Sequence, residues 1–411
     1  MPDLSVLDVL LHGERIGTLT LVQGSRTLFT FDKSYVDDLD RPVLSLSFKD
    51  QFGQLLTDIR PTQTRVPPFF ANLLPEGPLR AYLARQAGVN EKREFFLLWA
   101  LGQDVPGALT IRPADGEALP HGMDSRAGDA RHNQPGKMLR FSLAGIQLKF
   151  SAVKNVGKPG GLTIPADGVG GSWIVKLPSE RYPAVPENEF SMMTLAARLG
   201  MDVPDMQLVA LDAVAGLPAG IGHLRGQALA VRRFDRAAAG PVHIEDFAQV
   251  FGVWPEEKYN RASARNIATV IGLEAGDDAA AEFIRRLVFN TLIGNADMHL
   301  KNWSLIYPDR RRAALAPAYD FVSTISYIAD DSAAIKYART RRMSEFSFDE
   351  LRSLAAKAHL PETLVIDTAS EILTRFQDEW PAARKDLPVD TKVAEAIDRH
   401  IRGLALLTQG R

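Results

Sequence analysis

Asp297, His299, Asn302 and Asp320 carry groups that phosphoryl transfer requires. They fall in the stretch FNTLIGNADMHLKNWSLIYPDRRRAALAPAYDFVSTIS, which reads as a helix end, a polar loop, a strand, a turn and a second short strand ending at an acidic residue. Moving a phosphoryl group from ATP needs an acceptor hydroxyl held in line, Mg²⁺ bridging the phosphates, and a carboxylate that takes the hydroxyl proton. Asp297 suits the base, while Asn302 offers a hard metal a neutral oxygen and Asp320 a charged one. The Asp-to-Asn spacing is that of the protein-kinase catalytic loop H-R-D-x-x-x-x-N, but here the histidine follows the aspartate. Taken singly, Asp and Asn after a helix are ordinary turn and capping residues, and His299 is a hydrogen-bonded loop histidine. Together with Asp320 they favour phosphoryl transfer. A metal hydrolase using Asp297 and His299 competes, without any HExxH-type histidine pair to support it.

Such a site needs elements that bring phosphates and adenine to it. Lys176 closes the apolar strand WIVKLP, where a lysine either snorkels to solvent or faces a phosphate. The helix PENEFSMMTLAARLG follows, and its Glu189 can form the strand-lysine to helix-glutamate pair that positions ATP in kinases. The competing reading is that Glu187 and Glu189 favour the positive end of the helix dipole, and spacing alone weighs the two equally. SLAGIQLK places a single glycine between two strands, unlike the Walker A loop G-x-x-x-x-G-K-[ST]. Its backbone N–H groups still suit phosphate oxygens, although one glycine between strands is more often a plain hairpin. GQALAVRRFDR reads as a strand running into Arg232, Arg233 and Phe234, the place of the kinase hinge, where backbone meets adenine and an apolar ring covers it. On its own evidence Phe234 is equally a core residue.

With 411 residues and 45% hydrophobic content, the chain is long enough for two or three domains with sizeable cores. A net charge of −2 gives no overall reason to bind nucleic acid or anionic lipid, so any such contact must come from a local patch. The absence of cysteine excludes disulfides and thiolate metal sites and is compatible with a reducing cytosol. MPDLSVLDVLLHGER lacks a basic n-region and carries Asp3 and Asp8 in its apolar run, so no export is expected. No stretch approaches the roughly 20 apolar residues of a membrane span.

Along the chain, LSVLDVLL, GTLTLV, RTLFTFD and VLSLSF predict a strand meander, followed by amphipathic helices over PLRAYLARQAG and KREFFLLWALGQ and a strand at GALTIRP. Residues 113–138 are rich in Gly, Pro and Asp and read as a mobile linker. MLRFSLAG, QLKFSAV, LTIPAD, SWIVKLP and MQLVALDAVAG predict a second sheet. HIEDFAQVFGV, SARNIATVIGL and AAAEFIRRLVFNTLIGN have helical apolar spacing. Three further amphipathic helices begin near Ser347, Pro361 and Asp390. The basic cluster KYARTRRM (Lys336, Arg339, Arg341, Arg342) reads first as a solvated face, with a phosphate-backbone contact as the minority reading.

Several of these motifs occur together elsewhere. The chain resembles the HipA family of bacterial serine/threonine kinase toxins over nearly its whole length. RPVLSLSF, FFANLLPEGPLR and DVPGALTIRP look like that family's N-terminal subdomain, and SLAGIQLK, IVKLP, ENEF, RRFDR, NADMHLKN and APAYDFVS occur in the order of its kinase core. The resemblance implies an α+β fold: a small mixed α/β subdomain over 1–112, the linker 113–138, a kinase-like β-rich nucleotide-binding lobe over 139–236, and an all-α lobe over 237–411 with the catalytic loop and metal site. It implies that Ala144, Gly145, Ile146, Gln147, Leu148 and Lys149 form the phosphate-facing loop, that Lys176 contacts the ATP phosphates, and that Arg232, Arg233 and Phe234 form the adenine hinge. Asp297 would then be the base, His299, Leu300, Lys301 and Asn302 the loop touching nucleotide and metal, and Asp320, beside Tyr319, the principal Mg²⁺ ligand. Ser142 matches the serine these kinases autophosphorylate to switch themselves off, since a dianionic phosphate at the mouth of the loop would repel ATP. Further implications are a cytoplasmic chain without membrane contact, a HipB-like helix-turn-helix antitoxin, operator DNA reached mainly through it, and an aminoacyl-tRNA synthetase as substrate. The hinge departs from the family's E-R-F-D-R by carrying Arg232 in place of glutamate. Two other readings stand beside this one: a kinase-fold binding module, favoured by Arg232, and a lipid or small-molecule kinase, suggested by the D-x-H-x-x-N order.

Overall fold

A computed structural model describes residues 5–114, 149–154, 161–164, 170–179, 181–217, 224–328 and 331–408. The chain begins with β1 (Ser5–Leu11) and β2 (Glu14–Val22), joined by a two-residue turn in which His12 and Gly13 both have positive φ, the turn geometry whose twist suits a hairpin. With β3 (Arg26–Phe31), β4 (Thr62–Gln63) and β5 (Leu109–Pro113) they form an antiparallel sheet in the order β4-β3-β2-β1-β5. VLSLSF does not join this sheet: it ends in the 3-10 turn Leu46–Phe48, with the Ser45 hydroxyl accepting from the Ser47 N–H. Serine side chains compete in this way with strand pairing. The helix Gly77–Ala87 ends at Gly88 in the left-handed region, as its sequence predicts. The helix Glu94–Leu101 is buried at every position instead of being amphipathic, because it is wrapped on all sides by the sheet and its neighbours.

The second sheet contains β6 (Lys149–Lys154), β7 (Leu162–Thr163), β8 (Trp173–Lys176), β9 (Met206–Ala210), β10 (Val214–Ala215) and β11 (Gln227–Arg232), in the order β10-β7-β6-β8-β11-β9. MQLVALDAVAG is split between β9 and β10 by the 3-10 turn Leu211–Ala213. Lys149 of β6 lies directly opposite Lys176 of β8, so their side chains project from the same face of the sheet. The helix Val185–Arg198 packs beside β11 and β9.

Beyond the two-residue strands β12 (Arg236–Ala237) and β13 (Gly240–Pro241) lies a helical region built on Ala264–Ala275, Asp277–Leu292, Phe348–Ala358, Glu362–Asp386 and Thr391–Arg402. It additionally carries a small sheet of β14 (His243–Asp246), β15 (Ser304–Tyr307) and β16 (Ala314–Leu315). HIEDFAQVFGV, expected as a helix, therefore starts as β14, and only Phe247–Val250 is helical, set off by a capping box of Asp246 and Gln249. One hydrophobic cluster runs unbroken from Leu7, Phe29, Phe70 and Leu97 of the N-terminal region into Phe150, Val175 and Ala230 of the second sheet. Another fills the helical region around Phe283, Leu292 and Phe376 and takes in Met192 and Leu195 of the helix Val185–Arg198. Among the described residues no helix is long and apolar enough to cross a membrane.

Candidate active site

The loop bearing Asp297 leaves the helix Asp277–Leu292 through Gly294, at φ 66°. Asn295 organises it: its Nδ2 donates to Asn290 Oδ1 at 2.7 Å and to the Asp320 carbonyl at 3.3 Å, and its Oδ1 accepts from the Asp297 N–H at 3.1 Å. The Ala296 N–H donates to Thr324 Oγ1 at 2.7 Å and the His299 N–H to the Asp297 carbonyl at 2.8 Å. A 3-10 turn at Leu300–Asn302 then feeds β15. Asp320 sits at φ 58°, a left-handed backbone that Asp tolerates better than most residues. Asn295 thus ties the Asp297 loop to the Asp320 backbone, bringing the two acidic residues to one site.

At that site the Lys176 ammonium joins the second sheet and its helix to Asp320. It donates to Glu189 Oε1 at 2.5 Å and to Asp320 Oδ1, while Asp320 Oδ2 accepts from Asn302 Nδ2 at 3.5 Å. The pairing of strand lysine with helix glutamate is therefore present. Burial penalises every charge in this cluster, but Lys176 and then Lys149 outweigh it at Asp320 and hold that carboxylate well below its ordinary range. Lys176 is likewise kept charged against burial by Asp320 and Glu189. Lys149 has less help: burial brings it down to about 8, with Asp320 raising it and Lys176 lowering it. Asn302 Oδ1 and His299 Nδ1 are buried and have no hydrogen-bond partner among the described residues.

Asp297 opens to solvent, yet the surrounding protein desolvates its carboxyl and raises it above the ordinary value, against the opposing pull of Lys258 and Tyr259. The Tyr259 O–H donates to Asp297 Oδ1 at 3.2 Å. His299 meets the Tyr259 ring edge-on and is held down to about 3 by burial and then by Lys258, so its imidazole is neutral.

The hinge residues separate. Phe234 lies 5.8 Å from the Tyr319 ring, and the Tyr319 hydroxyl pairs with Ser304 Oγ at 2.5 Å and donates to the Lys301 carbonyl at 3.0 Å. This aromatic pair links hinge to catalytic loop. Arg232 is exposed, with Nη1 3.1 Å from Asp205. Arg233 departs from the hinge expectation in its side chain, which is buried in ion pairs with Asp235 at 2.8 Å and Asp104 at 3.1 Å. Only its backbone is left for a nucleotide, and its N–H already donates to the Ser172 carbonyl at 2.8 Å. Leu300 and Lys301 also turn away: Leu300 is in the helical core, and the Lys301 ammonium is held by Glu76 at 2.7 Å and the Asn72 carbonyl at 3.1 Å. Ser142, Ala144, Gly145, Ile146, Gln147 and Leu148 lie outside the described residues.

Glu76, Lys258 and Tyr259 were not singled out from the sequence. Glu76 lies within FFANLLPEGPLR, a motif that resemblance assigns to the N-terminal subdomain, but nothing in its spacing points to a loop some two hundred residues away. The basic cluster is partly tied down, Arg339 by Asp349 and Glu350 and Arg341 by the Tyr259 carbonyl.

A β-rich lobe whose strand lysine pairs with a helix glutamate, set against a helical region with an Asp–Asn loop and a second acidic residue, defines a kinase-like fold. The chain belongs to the HipA family: residues 141–380 match the family model of the HipA-like C-terminal domain and residues 7–112 that of the HipA N-terminal domain. Y4dM of Sinorhizobium fredii, which carries the name of a kinase, is 60% identical over 401 residues, covering 97% of each chain. The serine/threonine-protein kinase toxin HipA of Shewanella oneidensis is 29% identical over 299 residues, 65% of each. A solved complex of Shewanella oneidensis HipA, HipB and operator DNA contains a chain that superposes with a TM-score of 0.72 at 22% identity, covering 97% of this chain and 96% of that one. That likeness shows a shared fold.

Proposed function

We propose that this chain is an ATP- and Mg²⁺-dependent serine/threonine protein kinase that serves as the toxin of a toxin–antitoxin pair. The observation that carries the reading is the Lys176 ammonium bridging Glu189 and Asp320, with Lys149 opposite it on the same sheet face. Two adjacent lysines facing an acidic cleft suit a polyanion that brings its own cation. The residues present fit that pair. Asn302 Oδ1 is a buried acceptor with no partner among the described residues, and it belongs to a side chain already touching Asp320; buried acceptors of this kind call for an occupant. Asp320 and Asn302 would hold Mg²⁺, which when bound neutralises phosphate charge. Lys149 and Lys176 orient the phosphates, and Phe234 with Tyr319 walls the adenine end.

Asp297 takes the acceptor proton. The residue is exposed to solvent, and its carboxyl already accepts a hydrogen bond from a hydroxyl, that of Tyr259. Its raised affinity for protons favours that role near neutral pH. His299, neutral, orients groups by hydrogen bonding without adding charge.

The names of the relatives support a HipB-like antitoxin and operator DNA as partners and a protein substrate; that the DNA is reached mainly through the antitoxin follows from the family resemblance. The aminoacyl-tRNA synthetase substrate, autophosphorylation at Ser142 and a cytoplasmic location follow from the family resemblance. Arg232, which favoured a binding module without nucleotide, directs its guanidinium to Asp205 at the surface, so that reading loses its specific support. Incubation of purified chain with labelled ATP, Mg²⁺ and lysate protein is the test, with mass spectrometry for phosphoserine at position 142. Phosphotransfer to protein supports the reading, whereas a chain without ATP affinity by calorimetry contradicts it.

A further inference from the structure

The N-terminal region reaches the catalytic loop through one carboxylate. Glu76 follows the segment FFANLLP and immediately precedes the helix Gly77–Ala87. Its Oε1 accepts from Lys301 Nζ and its Oε2 from Lys258 Nζ, both at 2.7 Å. Lys301 and Lys258 are 8% and 3% exposed, and among the described residues Glu76 is the one carboxylate ion-paired with either.

Each lysine is joined to the site. Lys301 immediately precedes Asn302. Lys258 accepts from the Leu300 N–H at 3.4 Å through its carbonyl and immediately precedes Tyr259, whose hydroxyl donates to Asp297. Asn72, from the same N-terminal segment, adds its carbonyl to Lys301 at 3.1 Å and donates through Nδ2 to the Val253 carbonyl at 2.8 Å. Burial of Glu76 would raise its carboxyl, but Lys301 and Lys258 outweigh that and hold it at about 2, so it is ionised throughout the neutral range.

We infer that Glu76 is a positioning residue: its carboxylate clamps Lys258 and Lys301 together and thereby fixes the loop bearing Asp297 and Asn302, making the N-terminal region part of the active-site frame. Its catalytic consequence rests on the kinase reading, while its structural consequence does not. Without Glu76, two ammonium groups are left buried side by side with no ion-paired carboxylate among the described residues, a state that proteins relieve by opening toward water. The element that opens is the loop, because Lys301 lies within it and Lys258 holds it from outside, through its carbonyl to the Leu300 N–H and through Tyr259 to Asp297. A displacement of about 1 Å at such a loop costs on the order of 100-fold in rate.

The test compares full-length wild type, Glu76→Gln, Glu76→Asp and the triple variant Glu76→Met, Lys258→Met, Lys301→Met by amide hydrogen exchange of residues 297–302, with phosphotransfer measured in parallel. Glu76→Gln is expected to speed exchange there about tenfold or more, with the β8–β11 sheet unchanged, and to lower kcat on the order of 100-fold while KM for ATP stays within about threefold, since Lys149 and Lys176 are untouched. Glu76→Asp keeps the charge but is too short to span both ammonium groups, so it gives an intermediate result and serves if Glu76→Gln fails to fold. The triple variant removes the unpaired charges and returns exchange toward the wild-type rate. Unchanged exchange at 297–302 in both single variants overturns the inference whatever the activity. A wild-type chain that transfers no phosphate overturns the kinase reading alone, and the exchange result still decides the role of Glu76.

Discussion

At the scale of residues, the cleft is a balance of buried charges in which Lys176 is the pivot. Removing it leaves Glu189 and Asp320 without their ion-pair partner and with Lys149 left near them, and truncating one partner of a buried ion pair costs about 3–5 kcal/mol. Lys176→Met is therefore expected to lose stability on that scale in urea unfolding and to weaken ATP binding in calorimetry. An unchanged unfolding midpoint would show the pair to be dispensable. The pair was legible in the sequence because a lysine ending an apolar strand needs a reason, and an early helical glutamate was close enough to supply one. The gathering of the Asp297 loop, Asn302 and Asp320 was legible because their spacing is that of a base with hard-metal oxygens, the roles proposed for them. Arg233 and Lys301 were not, since the direction of a long cationic side chain is set by whichever carboxylate the fold brings near. Here those are Asp235 and Asp104 for Arg233 and Glu76 for Lys301, with Asp104 and Glu76 contributed by the N-terminal region.

At the scale of elements, the junctions between segments are held by polar groups that sequence periodicity does not register. Strand β14 was hidden inside an apparently helical apolar pattern. It carries Glu245, which is buried and accepts from Ser45 Oγ at 2.5 Å, the Leu46 N–H at 3.0 Å and the Tyr307 hydroxyl at 2.5 Å. The same contacts explain why VLSLSF turns away from the first sheet. Burial raises this carboxyl from 4.5 to about 7, against those three hydrogen bonds. Because the folded state then holds a proton that the unfolded chain has released, stability should fall as pH rises from about 4.5 to about 7, by roughly 3 kcal/mol, and level off above. Glu245→Gln should flatten that slope in denaturation curves measured across this range; an equal slope in both proteins would assign it elsewhere. A neighbouring junction is as tight: Gly107, at φ 79°, donates its N–H to Asp235 Oδ2 at 2.9 Å, and a Cβ there would lie 2.9 Å from the Ile244 backbone nitrogen. Gly107→Ala should accordingly destabilise the chain, by backbone strain and collision together, as a lowered Tm would show.

At the scale of the whole molecule, the order of the segments was legible and their fusion was not. Most of the described strands and helices occur where alternation and apolar spacing put them, because those patterns are local; VLSLSF, which turns, and HIEDFAQVFGV, which starts as β14, are the exceptions. That one hydrophobic cluster joins the N-terminal region to the second sheet is a tertiary fact with no local signature. It predicts that a chain lacking residues 1–112 exposes the shared apolar surface and aggregates; a soluble monomer of that fragment in size-exclusion chromatography would contradict the fused core. The same fusion, through Glu76, ties the cleft to the N-terminal region.

The proposal that phosphate is transferred here with Asp297 as base is tested directly by transfer from γ-labelled ATP in the presence of Mg²⁺ with wild type and Asp297→Asn. Labelled protein is expected with wild type, a loss of about 10²–10⁴-fold in the variant, and ATP affinity retained in both. Equal transfer by the two proteins, or none by wild type, would contradict the proposal.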